Sequence, residues 1–133
     1  MNNLVPTLKL TVAKSDGGIQ DNMSVAVTDS VALKAPTQGP GIVTAGATGS
    51  NCIIVPATTE SVYLYVRHTG TSDGSSSTTD EVDVENTDNE AFARLKPGEF
   101  LFLPFCHAGA SVGVQLHSQG SNVQCEYAFL TAT

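Results

Sequence analysis

The sequence predicts an all-β protein, an antiparallel β-sandwich, and favours the strand connections of a jelly roll. Apolar and polar residues alternate at two-residue spacing in many short segments, about nine or ten in all, which is the pattern of half-buried strands. Gly, Ser, Thr and Val are plentiful, and no segment has the pattern of a helix of a dozen residues. The connections between the segments are too short for parallel crossovers, so the strands are expected to pair antiparallel.

The length of 133 residues predicts one domain with a sizeable core. Residues 8–133 are expected to form this domain, preceded by an arm over residues 1–7. Leu4, Val5 and Pro6 are candidate contact residues of the arm. A frayed chain terminus without contacts explains this segment equally well. Residues 69–80 are rich in Ser, Thr and Gly, which is typical of a flexible exposed loop.

The first third of the chain predicts short strands separated by turns. In residues 8–13 the alternation places Leu8, Leu10 and Val12 inward, and Val25 and Val27 continue the pattern. Residues 36–41 contain two prolines and two glycines and are predicted to form a loop. Further short strands are predicted at residues 31–33, 42–45 and 52–55.

Residues 62–67 predict a stronger strand. Val62, Leu64 and Val66 share one face, while Tyr63, Tyr65 and Arg67 share the other. Two tyrosines and an arginine suit a subunit interface, because these residue types combine a large contact area with a polar tip. Tyrosine hydroxyls that simply reach water explain the pattern equally well.

An acidic segment follows the predicted loop. Residues 81–85 alternate acids with valine, and a turn at residues 86–89 leads back through residues 91–95, which favours a β-hairpin. Thr87 and Glu90 have the spacing of a capping box, so a short helical turn is the alternative. The acids lack the spacing of a calcium loop and are interpreted as a solvated edge.

Residues 95–107 are the central segment of the sequence. A Pro-Gly turn opens it, and Phe100, Leu101, Phe102 and Leu103 follow without a polar break. Because a strand with two apolar faces needs cover on both sides, we expect a neighbouring subunit to cover one of them. The interface predicted from this segment consists of Leu101, Leu103 and Phe105, together with Tyr63, Tyr65 and Arg67. Two clean alternations, at residues 112–117 and 123–129, predict the last strands.

Charge and cysteine content exclude several functions. Six basic against thirteen acidic residues give a net charge of −7, which argues against nucleic acid and anionic membranes as partners. The start of the chain lacks the pattern of a signal peptide, so synthesis in the cytoplasm is expected. Three widely spaced cysteines, Cys52, Cys106 and Cys125, predict free thiols.

No catalytic site is predicted. Cys106 and His107 are neighbours on a strand and point to opposite faces, which disfavours a thiolate nucleophile. Residues 95–107, with Pro97, Gly98, Glu99 and His107, resemble the second motif of the cupin family, in which the histidine binds a metal. The first cupin motif is absent, since His68 stands alone, and one ligand does not hold a catalytic metal. No cofactor and no metal site are therefore expected, and a degenerate cupin-like metal protein is kept as an alternative function.

A second resemblance concerns the assembly. The run from residues 61–66 through residues 92–104 is similar to small structural proteins of tailed bacteriophages, and it most resembles capsid decoration, or cement, proteins. The resemblance implies homotrimers on the outer surface of the virion, bound to the major capsid protein and without catalytic residues. The rival hypothesis is a glycan- or receptor-binding module of a tail fibre or spike, with Tyr63, Tyr65 or Tyr127 as the stacking platform.

Overall fold

The computed structural model describes residues 2–12, 23–47, 50–105 and 112–133. Within these ranges the chain forms strands and turns and no helix. The strands are β1 (Asn3–Leu4), β2 (Thr7–Val12), β3 (Met23–Thr28), β4 (Val31–Ala45), β5 (Cys52–Thr58), β6 (Val62–His68), β7 (Val82–Asn86), β8 (Ala91–Leu95), β9 (Phe100–Phe105), β10 (Val112–Ser118) and β11 (Val123–Ala132). The all-β prediction is therefore confirmed.

The contacts divide the chain into two compact units, Met1–Leu33 and Lys34–Thr133. In the first unit, β1 pairs with the first residues of β4, and β2 and β3 form a two-stranded antiparallel sheet. The division into an arm over residues 1–7 and a domain over residues 8–133 stays a prediction.

The apolar face of the β2–β3 sheet corrects one expectation. Leu8 lies opposite Val27, and Leu10 lies opposite Val25, so the four side chains share a face as predicted. They are nevertheless exposed, by 36 to 54%. The prediction that Leu8 and Leu10 point into a core is wrong, because alternation shows which residues share a face and not whether a second layer covers it.

The second unit consists of two four-stranded sheets, with the strand orders β4-β11-β6-β9 and β5-β10-β7-β8. The pairs β4/β11, β5/β10, β6/β9 and β7/β8 show that the second four strands retrace the first four in reverse order. A long hairpin rolled up in this way gives two Greek keys in eight strands, which is the jelly roll. The predicted β-sandwich is confirmed, and its strand order is that of a jelly roll.

The core lies between these two sheets. Val62, Leu64 and Val66 contribute from one sheet, and Val84 and Leu116 contribute from the other. All five side chains are essentially inaccessible to water. Burial of a large aliphatic side chain contributes about 1.5–3 kcal/mol, so this shared layer holds the sheets together.

Strand β4 overturns the loop predicted at residues 36–41, because the strand runs from Val31 to Ala45 without interruption. Beyond Leu33, whose N–H donates to the carbonyl oxygen of Asn2, β11 is the only neighbour that β4 has among the described strands. A strand of this kind accepts proline, because half of its amide groups point away from the neighbour.

The β7–β8 hairpin confirms the prediction for residues 81–95. Asn86 Oδ1 accepts hydrogen bonds from the backbone N–H groups of Asp88 and Glu90, at 2.9 and 3.0 Å. Asn89 has a left-handed backbone with φ of 65°, which asparagine tolerates better than most residues. The alternative of a helical turn at Thr87 is wrong.

The predicted Pro-Gly turn before β9 is also present. Gly98 has φ of +86°, which fits the third position of a type II turn. Glu99 Oε2 accepts a hydrogen bond from the backbone N–H of Lys96 at 2.8 Å. The turn joins β8 to β9 and so connects the two sheets at one edge of the sandwich.

Candidate functional site

Strand β9 has two chemically different faces. Leu101 lies opposite Val66, Leu103 opposite Leu64, and Phe105 opposite Val62. Cross-strand partners point to the same side of a sheet, so these three residues point toward the core. Leu101 and Phe105 indeed pack against the buried cluster. The six residues predicted to form one interface therefore lie on opposite faces, and a role of Leu101, Leu103 and Phe105 in a subunit contact stays a prediction.

The outer side of β6 and β9 forms an aromatic face, which we define as Tyr63, Tyr65, Arg67, Phe100 and Phe102. In register, Tyr65 lies opposite Phe102, and Arg67 lies opposite Phe100. Tyr63 stacks on Phe102 with ring centroids 5.9 Å apart. Phe100 is 63% exposed and Phe102 is 41% exposed. This concentration of exposed aromatic area is typical of a contact surface.

Polar groups border the aromatic face on the side of β11. The hydroxyl of Tyr65 donates a hydrogen bond to Glu126 Oε1 at 2.7 Å. Burial raises the pKa of Tyr65, and the hydrogen bond to Glu126 raises it further. The phenol thus stays a neutral donor, and Glu126 lies opposite Arg67 in the register of β6 and β11. This hydrogen bond fixes the position of the Tyr65 side chain.

The edge of the sandwich between β8 and β9 is closed by aromatic stacking. Phe92 of β8 and Phe105 of β9 have ring centroids 5.7 Å apart and an interplanar angle of 25°. The two strands end their respective sheets. Offset stacking of this kind adds about 0.5–1.5 kcal/mol beyond burial of the rings, so it ties the two sheets together where neither has a further strand.

The outer face of the second sheet carries a polar network that the sequence did not reveal. Asp83 is only 6% exposed, and Arg94 binds its two carboxylate oxygens through Nε and Nη2, at 2.6 and 3.2 Å. Gln119 Nε2 donates a further hydrogen bond to Asp83 Oδ2. This carboxylate raises the pKa of the Arg94 guanidinium. The interpretation of the acids as a solvated edge is wrong here, because β7 is an inner strand of its sheet.

A second part of this network surrounds Glu85, which is 5% exposed. Gln115 lies opposite Glu85 in the register of β7 and β10, and its Nε2 donates to Glu85 Oε1 at 2.7 Å. The same Nε2 lies 2.9 Å from Asn89 Oδ1, which also accepts from Asn51 Nδ2 at 3.3 Å. Side-chain amides thus take the place of water around a buried carboxylate, as burial of a charge requires.

His68 holds the base of the loop over residues 69–80. Its imidazole is inaccessible to water. Nδ1 accepts a hydrogen bond from the backbone N–H of Gly70 at 2.9 Å, and Nε2 lies 2.8 Å from the carbonyl oxygen of Asp80. Because a carbonyl oxygen only accepts, Nε2 carries the proton. A lone histidine is therefore a structural clamp between the two ends of the loop.

The tip of the same loop is organised by Asp73. Its Oδ1 accepts hydrogen bonds from the backbone N–H groups of Ser75 and Ser76, at 3.0 and 2.6 Å. These bonds favour the carboxylate and lower the pKa of Asp73 to about 2. An isolated bridge between Thr71 and Ser77 closes the loop below them. The loop, predicted to be flexible, thus has its own hydrogen-bonded structure, and its flexibility stays a prediction.

Two of the three cysteines are described, and both are free thiols, as predicted. Cys125 is fully buried, and desolvation, with a smaller contribution from nearby Cys52, raises its pKa to about 12. Desolvation also raises the pKa of Cys52. A thiol with a raised pKa is a poor nucleophile near neutral pH. Cys106 and His107, on which the nucleophile and the cupin comparison depended, lie outside the described residues.

The remaining predicted residues lie as follows. Leu4 belongs to β1 and lies opposite Val31, Val5 is exposed, and the carbonyl oxygen of Pro6 accepts a hydrogen bond from the N–H of Asp29 at 3.1 Å. Contact of these three residues with a capsid stays a prediction. Tyr127 packs against the core, so it does not share a surface with Tyr63 and Tyr65.

Within the described residues, no group of three or more His, Cys, Asp or Glu side chains is placed to hold a metal ion. No helix in this part of the chain is long and apolar enough to cross a membrane. The fold and its exposed surface define the class of the second unit as a jelly-roll β-sandwich with an aromatic sheet face. No family model, curated protein or solved structure matches the chain significantly.

Proposed function

We propose that this protein is a non-enzymatic structural protein of a virion, a capsid decoration protein that binds the outer capsid surface as a homotrimer. The observation that carries the proposal is the aromatic face, with Phe100 and Phe102 exposed on an open sheet surface. Monomeric proteins rarely leave such aromatic area uncovered, so a second copy of the chain is the natural cover.

The strength of such a contact follows from area. Each large apolar side chain that becomes fully buried contributes about 1.5–3 kcal/mol, and cyclic symmetry repeats the contribution at every subunit contact. Phe100, Phe102 and Tyr63 are the side chains that would supply this apolar area. In the proposed role the trimer clamps neighbouring major capsid proteins, a task that needs surface and no catalytic residues.

The oligomer is tested by sedimentation of the purified chain. We expect a trimer for the wild type and a monomer for Phe102→Asp, because a carboxylate in the contact would be buried without a partner. Ile53→Asp is the matched control, since Ile53 is exposed on β5 of the other sheet and should leave the trimer intact. A wild-type protein that sediments as a monomer at micromolar concentration contradicts the proposal.

The capsid role needs a separate experiment. We expect the trimer to co-sediment with assembled capsids and not with unassembled coat protein, because the binding position exists only between neighbouring coat subunits. Equal binding to both forms, or to neither, argues against decoration even if the trimer is real.

A glycan-binding module is the second candidate, and the stacked pair Tyr63–Phe102 favours it. Exposed aromatic rings on a sheet give the flat platform on which sugars stack. Under this alternative, Tyr63→Ala abolishes binding to a glycan array and leaves sedimentation unchanged. The decoration proposal expects the reverse, so one variant separates the two functions.

A further inference from the structure

Phe100 is the exposed aromatic residue at one end of the aromatic face. It and Ile53 are the most exposed large apolar side chains of the described residues, at 63 and 62%. Phe100 opens strand β9, and its cross-strand neighbour is Arg67, an exposed residue that forms no ion pair within the described part of the chain. An aromatic ring next to a guanidinium thus projects from this end of the sheet.

A cavity of about 160 Å³ lies at the other end of the sandwich. Val55, Val62 and Thr131 are buried and form its floor, while Pro56 and Ala57 are exposed and form its rim. Its lining contains no charged side chain. An enclosed apolar cavity of about 150 Å³ binds benzene, so this cavity, which is partly open to solvent, has room for one phenyl ring.

Opposite charges accompany the ring and the cavity. Glu60 lies in the turn between β5 and β6, and its backbone N–H donates a hydrogen bond to Oγ1 of the cavity residue Thr58 at 3.0 Å. Lys34 Nζ binds Glu60 Oε2 at 2.7 Å, and the Glu60 side chain is 48% exposed, so a second cation can reach its carboxylate. Arg67 therefore accompanies the ring, and the turn that borders the cavity carries the Glu60 carboxylate of an exposed ion pair.

The two features lie too far apart to meet within one molecule. In β6, Val62 lies at the cavity and Arg67 lies beside Phe100, and five residue steps along a strand span about 17 Å. A contact between different patches of identical subunits is heterologous, and it closes into a ring when the rotation between subunits allows. Such a ring requires complementary patches at opposite ends of the sandwich, as the ring of Phe100 and the cavity provide.

We propose that Phe100 of one copy inserts its ring into the Val55–Val62–Thr131 cavity of a second copy, with Arg67 facing Glu60 across the contact. This inference rests on the proposed homotrimer and identifies the two patches that form it. Insertion moves the most exposed aromatic ring out of water without burying a charge. The opposite charges of Arg67 and Glu60 favour pairing of these two different patches over pairing of like patches.

The first test compares Phe100→Ser with Ile53→Ser by sedimentation over a concentration series. Loss of a buried phenyl ring should weaken self-association about tenfold to 100-fold per contact, whereas the control should change it less than about threefold. Both positions are exposed in the single chain, so both variants should fold. A trimeric wild type with equal constants for the two variants overturns the insertion and leaves the trimer standing. A monomeric wild type overturns both.

Two further variants test the pairing of patches directly. Arg67→Glu should weaken the trimer, and the double variant Arg67→Glu with Glu60→Arg should restore it, because the charges are exchanged in every contact. A chain with Phe100→Cys and Ala57→Cys should form intermolecular disulfides under mild oxidation, and one with Ile53→Cys and Ala57→Cys should not. No charge rescue and equal cross-linking of the two cysteine pairs would refute the proposed partner patch.

Discussion

Replacement of Gln115 by leucine should destabilise the protein by about 2–3 kcal/mol. The substitution removes Nε2, which supplies the hydrogen bond at 2.7 Å to Glu85 Oε1. Glu85 is 5% exposed, so water cannot freely take the place of the amide. A hydrogen bond to a charged group contributes about 1.5–3 kcal/mol, and a buried charge that loses its donor adds a desolvation cost.

Two controls bracket this value. The double variant Glu85→Leu with Gln115→Leu removes both polar partners, and such replacements are close to neutral or stabilising. Asn51→Ala removes the exposed amide contact of 3.3 Å to Asn89 and should cost less than about 0.5 kcal/mol. The three variants change side chains of the same hydrogen-bonded network, at sites that differ in burial and charge.

The assay is urea unfolding at one fixed protein concentration, with the m value as a check that the unfolded state is unchanged. We expect Gln115→Leu to unfold at the lowest urea concentration and the double variant to recover most of the loss. If the double variant is as unstable as the single one, Glu85 and Gln115 are not coupled, and the reasoning from the buried carboxylate is refuted.

Three other predictions concern local chemistry. In native protein at pH 8, Cys125 should resist alkylation, because its pKa is raised to about 12; rapid labelling at this site would contradict its burial. The hydrogen bonds of Asp73 should hold above its ordinary pKa of 3.8 and be lost as pH falls through about 2, which an NMR titration of the carboxyl carbon measures. A midpoint near 3.8 would argue against the capped loop. Gly113→Ala should destabilise by about 1–3 kcal/mol in the same urea assay, since its Cβ would meet the Val55 carbonyl oxygen and lie 2.9 Å from the backbone of Pro56; unchanged stability would show that β5 moves freely.

Periodicity predicted most of the strands of the sandwich and failed where burial depends on a second layer. The alternations of β2 and β6 look alike in sequence, yet Leu64 is buried and Leu8 is 45% exposed. The difference lies in what covers each face, and alternation carries no information about it. The continuous apolar run in β9 predicts two apolar faces. The sequence does not show which face meets the core, because this depends on the register of β9 with β6.

The polar network was missed for a related reason. Valines alternating with acids in β7 resemble a surface strand, and only the positions of β8 and β10 on either side show that Asp83 and Glu85 are enclosed. Their partners Arg94 and Gln115 lie 11 and 30 residues away in the chain. The order of the strands determines which distant residues come into contact, and no local pattern in the sequence encodes that order.

The reversed order in which the last four strands pair with the first four also affects folding of the chain. β7 and β8 are joined by a tight turn and can pair early, whereas β4 pairs with β11, from which six other strands separate it in the chain. Pairing between such distant segments closes large loops and slows folding. The sheet that carries Phe100 and Phe102 therefore stays incomplete until β11 is in place, and we expect it to form later than the β7–β8 hairpin.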